Sequence, residues 1–357
     1  MTTAPLPSLD TTDLGLEVPV SEIETRLRAF WESEQDRARV SMMNLVVYSE
    51  KPGSLSENSR AIRTLAEDHA CRAILTEVNR TFRQATLRAW ITAHCHLFHG
   101  TKATCSEQIS FLLTGTASGR FRNTIFSHLH ADLPVVFWWQ GELSPLFSER
   151  LVQVIDRLVV DSAEWANPAS SFQTILHLAS QTNPNLIIQD FAWTRCWQFR
   201  LCIAGLFDEP AAQRMLQSID RIEIEYSARH YNTMLLLLAW LAVQAQWSDL
   251  PGNQPGFLSA TGHPIDLALS LTESDAPITR LSLHAGKHVA EISQTPDSPH
   301  LQRRVHAPGY DVSSLSPRDP TTSVELLADQ LSRGGRNSMF QKILPRYLSL
   351  LPAAYDI

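Results

Sequence analysis

The residues best suited to chemistry cluster between Ile91 and Ser162. His94, Cys95, His96, His99 and Cys105 bring imidazole nitrogen and sulfur within a dozen residues, the donor set zinc prefers. Strand geometry argues against a shared ion. His94 and His96 would face one side and Cys95 the other, and the spacing fits no standard zinc pattern, so ordinary packing and hydrogen bonding are expected. Gly115-Thr-Ala-Ser-Gly-Arg120, with Arg122 close behind, could present backbone N–H groups to a phosphate through Gly115, Ser118, Gly119 and Arg120. It lacks the Lys-Ser/Thr ending of a P-loop and the dinucleotide fingerprint, which favours a solvated turn. Asp156, Asp161 and Ser162 flank an apolar run, the last two at the strand end where open α/β sheets place ligands. No GxSxG elbow surrounds Ser162, and capping is the simpler use of both side chains. Trp138 and Trp139 must point to opposite sheet faces. Core packing in the two helix–sheet layers is favoured for at least one of them, while one that reached the rim near Gly141 and Glu142 would be a natural anchor for a protein partner. Arg303 and Arg304, with Lys287 and His288, could meet an anion or an acidic surface, although a solvated pair is the default.

The elements that must position these groups show in the hydrophobic rhythm. Asn44–Tyr48 is a strand, and Ser54 and Glu57 have capping-box spacing at the head of a helix buried through Ile62, Leu65 and Ala66. Cys71–Leu75 closes a βαβ unit with a right-handed crossover. Ala89–Leu97 and Gln108–Leu113 follow as strands, or as an antiparallel hairpin insert. Next come a helix over Phe121–His130, a strand over Pro134–Trp139, a helix over Pro145–Ile155, a strand over Arg157–Val160 and a helix over Ser170–Ser180. A long helical stretch, Gln189–Phe207, closes the domain. Such short apolar runs are how a sheet buried on both faces is written.

After Asp208 the pattern changes. Asp220–Tyr226 alternates apolar and charged residues like a strand with one wet face, and Tyr231–Gln246 is an apolar helix. Ile265–Leu271, Ile278–Leu283 and His288–Ser293 suggest an antiparallel meander, and Thr295–Thr321 an exposed loop. Thr322 and Glu325 form a second capping box, Gly334-Gly335 ends that helix, and Pro345 should kink or break the last one. The expected organisation is a disordered tail over 1–20 and an α/β domain with a mainly parallel sheet over 21–207. A smaller α+β domain with an antiparallel sheet follows over 208–357.

At 357 residues, 44% hydrophobic, the chain can bury full cores. Its net charge of −7 and lack of a basic face exclude nucleic acid as the main ligand. The start lacks a secretory signal pattern and the longest apolar run, Met234–Val243, is too short for a bilayer, so a soluble protein is expected. Five cysteines without a CxxC pair suggest reduced thiols in a cytoplasm. Cys196 and Cys202, on one helix, stand too far apart to bridge.

In order, Asn44-Leu-Val-Val-Tyr48, His69-Ala-Cys-Arg-Ala-Ile74, Ile91-Thr-Ala-His-Cys-His96, Cys105-Ser-Glu-Gln-Ile109, Asp132-Leu-Pro-Val-Val-Phe-Trp-Trp139 and Asp156-Arg-Leu-Val-Val-Asp-Ser162 resemble the glucose-6-phosphate dehydrogenase assembly protein family, OpcA. The resemblance implies a non-catalytic protein, and no cofactor or metal is expected. Such a protein binds glucose-6-phosphate dehydrogenase, favours its active oligomer and raises its activity, tuning entry into the oxidative pentose phosphate pathway. Trp138, Trp139, Glu142, Arg303 and Arg304 are the candidate contacts. Family members from photosynthetic organisms are associated with thiol-based redox control, for which Cys95 and Cys105 are the candidates here. The alternative from another class is an enzyme or sensor that takes a phosphorylated small molecule on the Gly115–Arg122 loop.

Overall fold

The computed structural model describes residues 11–33, 37–98, 102–251, 256–295, 298–333 and 338–354. The chain divides into two compact units. One runs up to Gln189 and takes in the segment from Leu327, and the other is Asp190–Leu326 with the C-terminal helix. The break thus precedes the expected 207/208. Gln189–Phe207 is not one helix: it opens with the end of a strand, Ile187–Asp190, and continues as two helices, Phe191–Thr194 and Trp197–Leu206, which begin the second unit.

The first unit is built on a nine-stranded sheet: β1 Leu16–Val18, β2 Arg37–Arg39, β3 Asn44–Ser49, β4 Arg72–Asn79, β5 Thr86–Phe98, β6 Lys102–Thr114, β7 Val135–Trp139, β8 Arg157–Val160 and β9 Ile187–Asp190. The spatial order is β1-β5-β6-β4-β3-β7-β8-β9, with β2 beside β6. Pairings β3–β4, β3–β7, β4–β6 and β7–β8 are parallel, while β5–β6 is an antiparallel hairpin. The continuous apolar runs of β3 and β7 are buried at every position, as strands covered on both faces must be. Two expected helices are shorter than their apolar spacing suggested, Phe121–Phe126 and Glu149–Val152. The tail is not wholly disordered, since Leu14 is buried and β1 pairs with β5; residues 1–10 lie outside the described residues.

The helix after β3, α1 (Ser54–Leu65), does not use its predicted capping box. Its N-cap is Gly53, whose φ of 82° suits a residue without a β-carbon, and Glu57 pairs instead with Lys51 at 2.8 Å.

The second unit holds an eight-stranded sheet: β10 Arg221–Ser227, β11 Ser248–Asp249, β12 Gly256–Leu258, β13 Pro264–Thr272, β14 Ile278–Ala285, β15 His288–Ser293, β16 His300–Ala307 and β17 Tyr310–Pro317. Its order is β11-β12-β13-β10-β14-β15-β16-β17. The expected meander is interrupted, because β10 lies between β13 and β14 and pairs in parallel with β13. Within the expected loop Thr295–Thr321, residues 300–307 and 310–317 are strands. Leu301, Val305 and Ala307 alternate with polar residues along β16, which turns through Pro308-Gly309 into β17, and the Ser- and Pro-rich composition hid that period of two. The apolar helix Tyr231–Gln244 is buried along most of its length, and the final helix, Ser338–Ala354, continues through Pro345. At Ser323–Ser332 the second capping box forms as expected. Thr322 Oγ1 accepts from the Glu325 N–H at 3.3 Å, and Glu325 accepts from the Thr322 N–H at 3.1 Å. Gly334-Gly335 lies outside the described residues.

Candidate functional site

In a parallel sheet whose chain leaves a central strand in both directions, ligands bind beyond the carboxyl ends at the switch point. Here that point lies between β3 and β7. The rim is acidic and occupied by its own donors. Tyr48, stacked on Trp139 at 3.9 Å, donates to Glu50 at 2.5 Å, and Arg80 Nε bridges both Glu50 oxygens at 3.0 Å. Burial, then the Glu50 carboxylate, push the Tyr48 phenol far up. Asn58 and Gln140 exchange amide hydrogen bonds at 3.1 and 2.8 Å across the crevice.

The N-terminus of α1 is where an open sheet would cradle a phosphate. Glu77, 4% exposed at the end of β4, holds that place: its carboxylate accepts from the Leu55 N–H at 3.2 Å and from Ser54 Oγ at 3.4 Å. Burial raises its pKa against the pull of those donors. A phosphate approaching α1 would meet a carboxylate already bound to the N–H groups it needs.

The Gly115 loop forms a 3₁₀ turn, Gly115–Arg120, with Gly115 and Ala117 buried and Gly119 and Arg120 exposed. Gly115 is needed for packing: at φ 56°, a β-carbon there would lie 2.8 Å from the Phe82 carbonyl oxygen. Ser118 is half-buried in the same turn. Asp156 accepts from the Val135 N–H at 2.7 Å, and Asp161 caps the turn Ser162–Glu164 by accepting from the Ala163 N–H. Asp156 thus ties down the start of β7, and only Asp161 acts as a cap.

Trp138 and Trp139 are core residues, 4% and 0% exposed. Trp139 Nε1 donates to the Glu142 carbonyl at 2.9 Å, so neither indole is offered as an anchor. Glu142 is exposed, its carboxylate turned back on the Ala166 N–H. Arg303 and Arg304 are split between the two sheet faces by strand alternation. Arg303 donates to Ser314 Oγ at 3.1 Å and Arg304 pairs with Asp311 through both oxygens. With Lys287 and His288 they do not form one anion patch.

The metal reading falls on the cysteines. The register of β5 and β6 sets Cys95 opposite Cys105 with Cα atoms 4.0 Å apart, and the two form a disulfide. The expectation of five reduced thiols fails there, and with it the argument for a reducing compartment. Cys71, Cys196 and Cys202 are free and buried, and desolvation lifts Cys71 to about 12 and Cys196 to about 11, which leaves them inert. His94 is buried against Gln108 at 2.9 Å, and His99 lies outside the described residues. No group of metal-capable side chains occurs among the described residues.

Sequence reasoning missed a charged cluster at the opposite, amino end of the strands. Arg72, 1% exposed, donates to Glu107 at 2.7 Å, to the His128 carbonyl at 2.7 Å and to Glu24. Glu107, fully buried, also accepts from Trp31 Nε1 at 2.5 Å and pairs with Arg39 at 3.0 Å. His130 Nε2 lies 2.8 Å from Arg72 and 2.5 Å from Arg39. Guanidinium groups only donate, so His130 must accept and is neutral. Burial, then the charges of Arg72 and Arg39, hold its pKa below the usual histidine range. The visible signal was Arg72 and Glu107 standing inside apolar strand runs, where unpaired charge is rare.

Comparison with known proteins settles the relationship. Residues 62–177 match the model described as the glucose-6-phosphate dehydrogenase subunit N-terminal domain, and 187–344 match that of its C-terminal domain. The chain belongs to the OpcA family. Relatives provisionally named OxPP cycle protein OpcA include one from Synechocystis sp., 26% identical over 83% of this chain and 66% of its own length. Another, from Nostoc punctiforme, is 28% identical over 56% of this chain and 43% of its own. The chain therefore spans somewhat under two thirds, or less, of the OpcA relatives it matches. Among solved structures, the aldose-aldose oxidoreductase of Caulobacter crescentus aligns at a TM-score of 0.47 and 9% identity over 89% of this chain and 98% of that one, a likeness too distant to carry an argument.

Proposed function

We propose that this OpcA-family chain is a non-catalytic effector. In this reading it binds glucose-6-phosphate dehydrogenase, promotes its active oligomer and raises its activity, acting on the oxidative pentose phosphate pathway. The observation that carries the reading is the pair of dehydrogenase-subunit domain models matched in succession along the chain. The carboxyl edge of the parallel sheet supports it, because Glu77 fills the phosphate position and the other rim carboxylates named above are engaged by the chain's own donors. Activation needs no chemistry from the effector. Binding the competent dehydrogenase tenfold more tightly supplies ~1.4 kcal/mol, enough to shift its population. Glu142 and Arg304 stand at the surface and are the contacts retained from the sequence.

The test is binding. Mixed with purified glucose-6-phosphate dehydrogenase from the same organism and run on a sizing column, the chain should co-elute in a saturable ratio. Separate elution at micromolar concentrations of both would remove the reading's basis.

A further inference from the structure

The two edges of the second sheet are treated very differently. At one end β11 is two residues long, which blunts it. At the other, β17 runs eight residues, pairs only with β16 among the described residues, and is exposed on both faces through most of its length. Proteins ordinarily guard such an edge with lysine, a bulge, an interior proline or a covering element. β17 carries no lysine, its register with β16 is continuous, and its one proline, Pro317, stands at the end. Val312 and Leu315 are 39% and 66% exposed.

The register shows which backbone groups are free. A two-residue turn, Pro308-Gly309, makes the flanking Ala307–Tyr310 pair a hydrogen-bonded one, and that pattern recurs every second residue. Tyr310, Val312, Ser314 and Ser316 therefore bond inward to β16. Asp311, Ser313 and Leu315 turn their N–H and C=O groups outward.

We infer that β17 is a self-association edge at which a second copy of this chain adds its own β17 antiparallel, centred on Ser313. A twofold axis perpendicular to the sheet requires a residue at the centre, and Ser313 is the choice that uses every outward group. Ser313 then pairs with Ser313 of the second copy, and Asp311 with Leu315 in both directions. No like charges oppose each other, because each Asp311, already paired with Arg304, faces a leucine. The small serines meet at the axis, and Leu315 loses exposed apolar surface. The product is one continuous sheet through both copies.

Sedimentation velocity tests this directly. The purified chain should show a concentration-dependent species at twice its 40.1 kDa mass. Ser313→Lys, which sets two ammonium groups against each other at the axis, and Ser313→Pro, which removes an outward N–H and none of the inward ones, should both be monomeric with unchanged far-UV circular dichroism. Hydrogen exchange gives the second readout. In the wild type the Asp311, Ser313 and Leu315 amides should be protected and should lose at least tenfold of that protection in Ser313→Lys, while Val312 and Ser314 stay protected in both. A wild type that remains monomeric at tens of micromolar would overturn the inference. So would a dimer indifferent to both substitutions, or outward amides that exchange freely within a dimer.

Discussion

Arg72 and Glu107 form an ion pair with both side chains essentially out of solvent, at 1% and 0% exposure. A buried pair of this kind adds little relative to an apolar replacement of both partners, but removing one partner strands a charge at a cost of about 3–5 kcal/mol. Glu107→Leu would leave Arg72 held by Glu24, the His128 carbonyl and His130, and would also release Trp31 and Arg39. Arg72→Met would leave Glu107 with Trp31 and Arg39 alone. Each single variant should therefore lose roughly 3–5 kcal/mol. At about 2–4 °C per kcal/mol for a unit of this size, that lowers its melting temperature by roughly 6–20 °C. The double variant should be less destabilised than the sum of the two by about 2 kcal/mol or more. The chain has two units, so a single unfolding midpoint is the wrong observable. Urea titration read by hydrogen exchange of β4 and β6 peptides follows the relevant unit separately. If the two losses simply add, the pair is not coupled and the description of this cluster as one network is wrong.

Further outcomes follow from other contacts. His130 has a folded pKa below its unfolded value near 6.5, so its contribution is complete above about pH 6.5 and is lost as pH falls through the depressed folded value. Acid unfolding of this unit should therefore steepen below pH 6.5, and His130→Gln should flatten that part of the profile. Glu77→Ala removes the cap from α1 and should cost about 1–2 kcal/mol, measured as lost protection of the Leu55 amide. Thr322→Ala should cost ~1 kcal/mol in the Ser323–Ser332 helix. The Glu325 pKa is lowered by Thr322, so this cap should weaken as pH falls below about 4.5. Thiol titration of the oxidised, unfolded chain should find three free cysteines, rising to five on reduction, with about 3 kcal/mol of stability lost when the Cys95–Cys105 loop opens.

What the sequence made legible was whatever depends on local period. The strand Asn44–Ser49, the helix and strand after it, the β5–β6 hairpin and the Thr322–Glu325 box all lie where apolar spacing or capping chemistry puts them. What it hid depends on partners far along the chain. Glu77 displaces Glu57 from its expected capping role across a gap of twenty-two residues to Leu55, and nothing local announces that. Arg72 finds Glu24, Glu107 and His130 from three separate segments. The hairpin of β16 and β17 was masked because an edge strand need bury neither face, so Ser and Pro can stand where alternation would otherwise appear. The candidate site suffered in the same way. Trp138 and Trp139 could not be divided between core and rim because exposure cannot be told from type, and the packing of the Gly115 turn against Phe82 is tertiary and leaves no local signal.

An effector that raises the activity of another enzyme without performing chemistry itself should show this when the purified protein is titrated into glucose-6-phosphate dehydrogenase from the same organism. NADPH formation would be followed across a range of glucose 6-phosphate concentrations. Saturable activation is expected, as a lower apparent KM or a higher kcat, with no NADPH formed by the chain alone. An unchanged rate at micromolar excess, or turnover by the chain without the dehydrogenase, would contradict it.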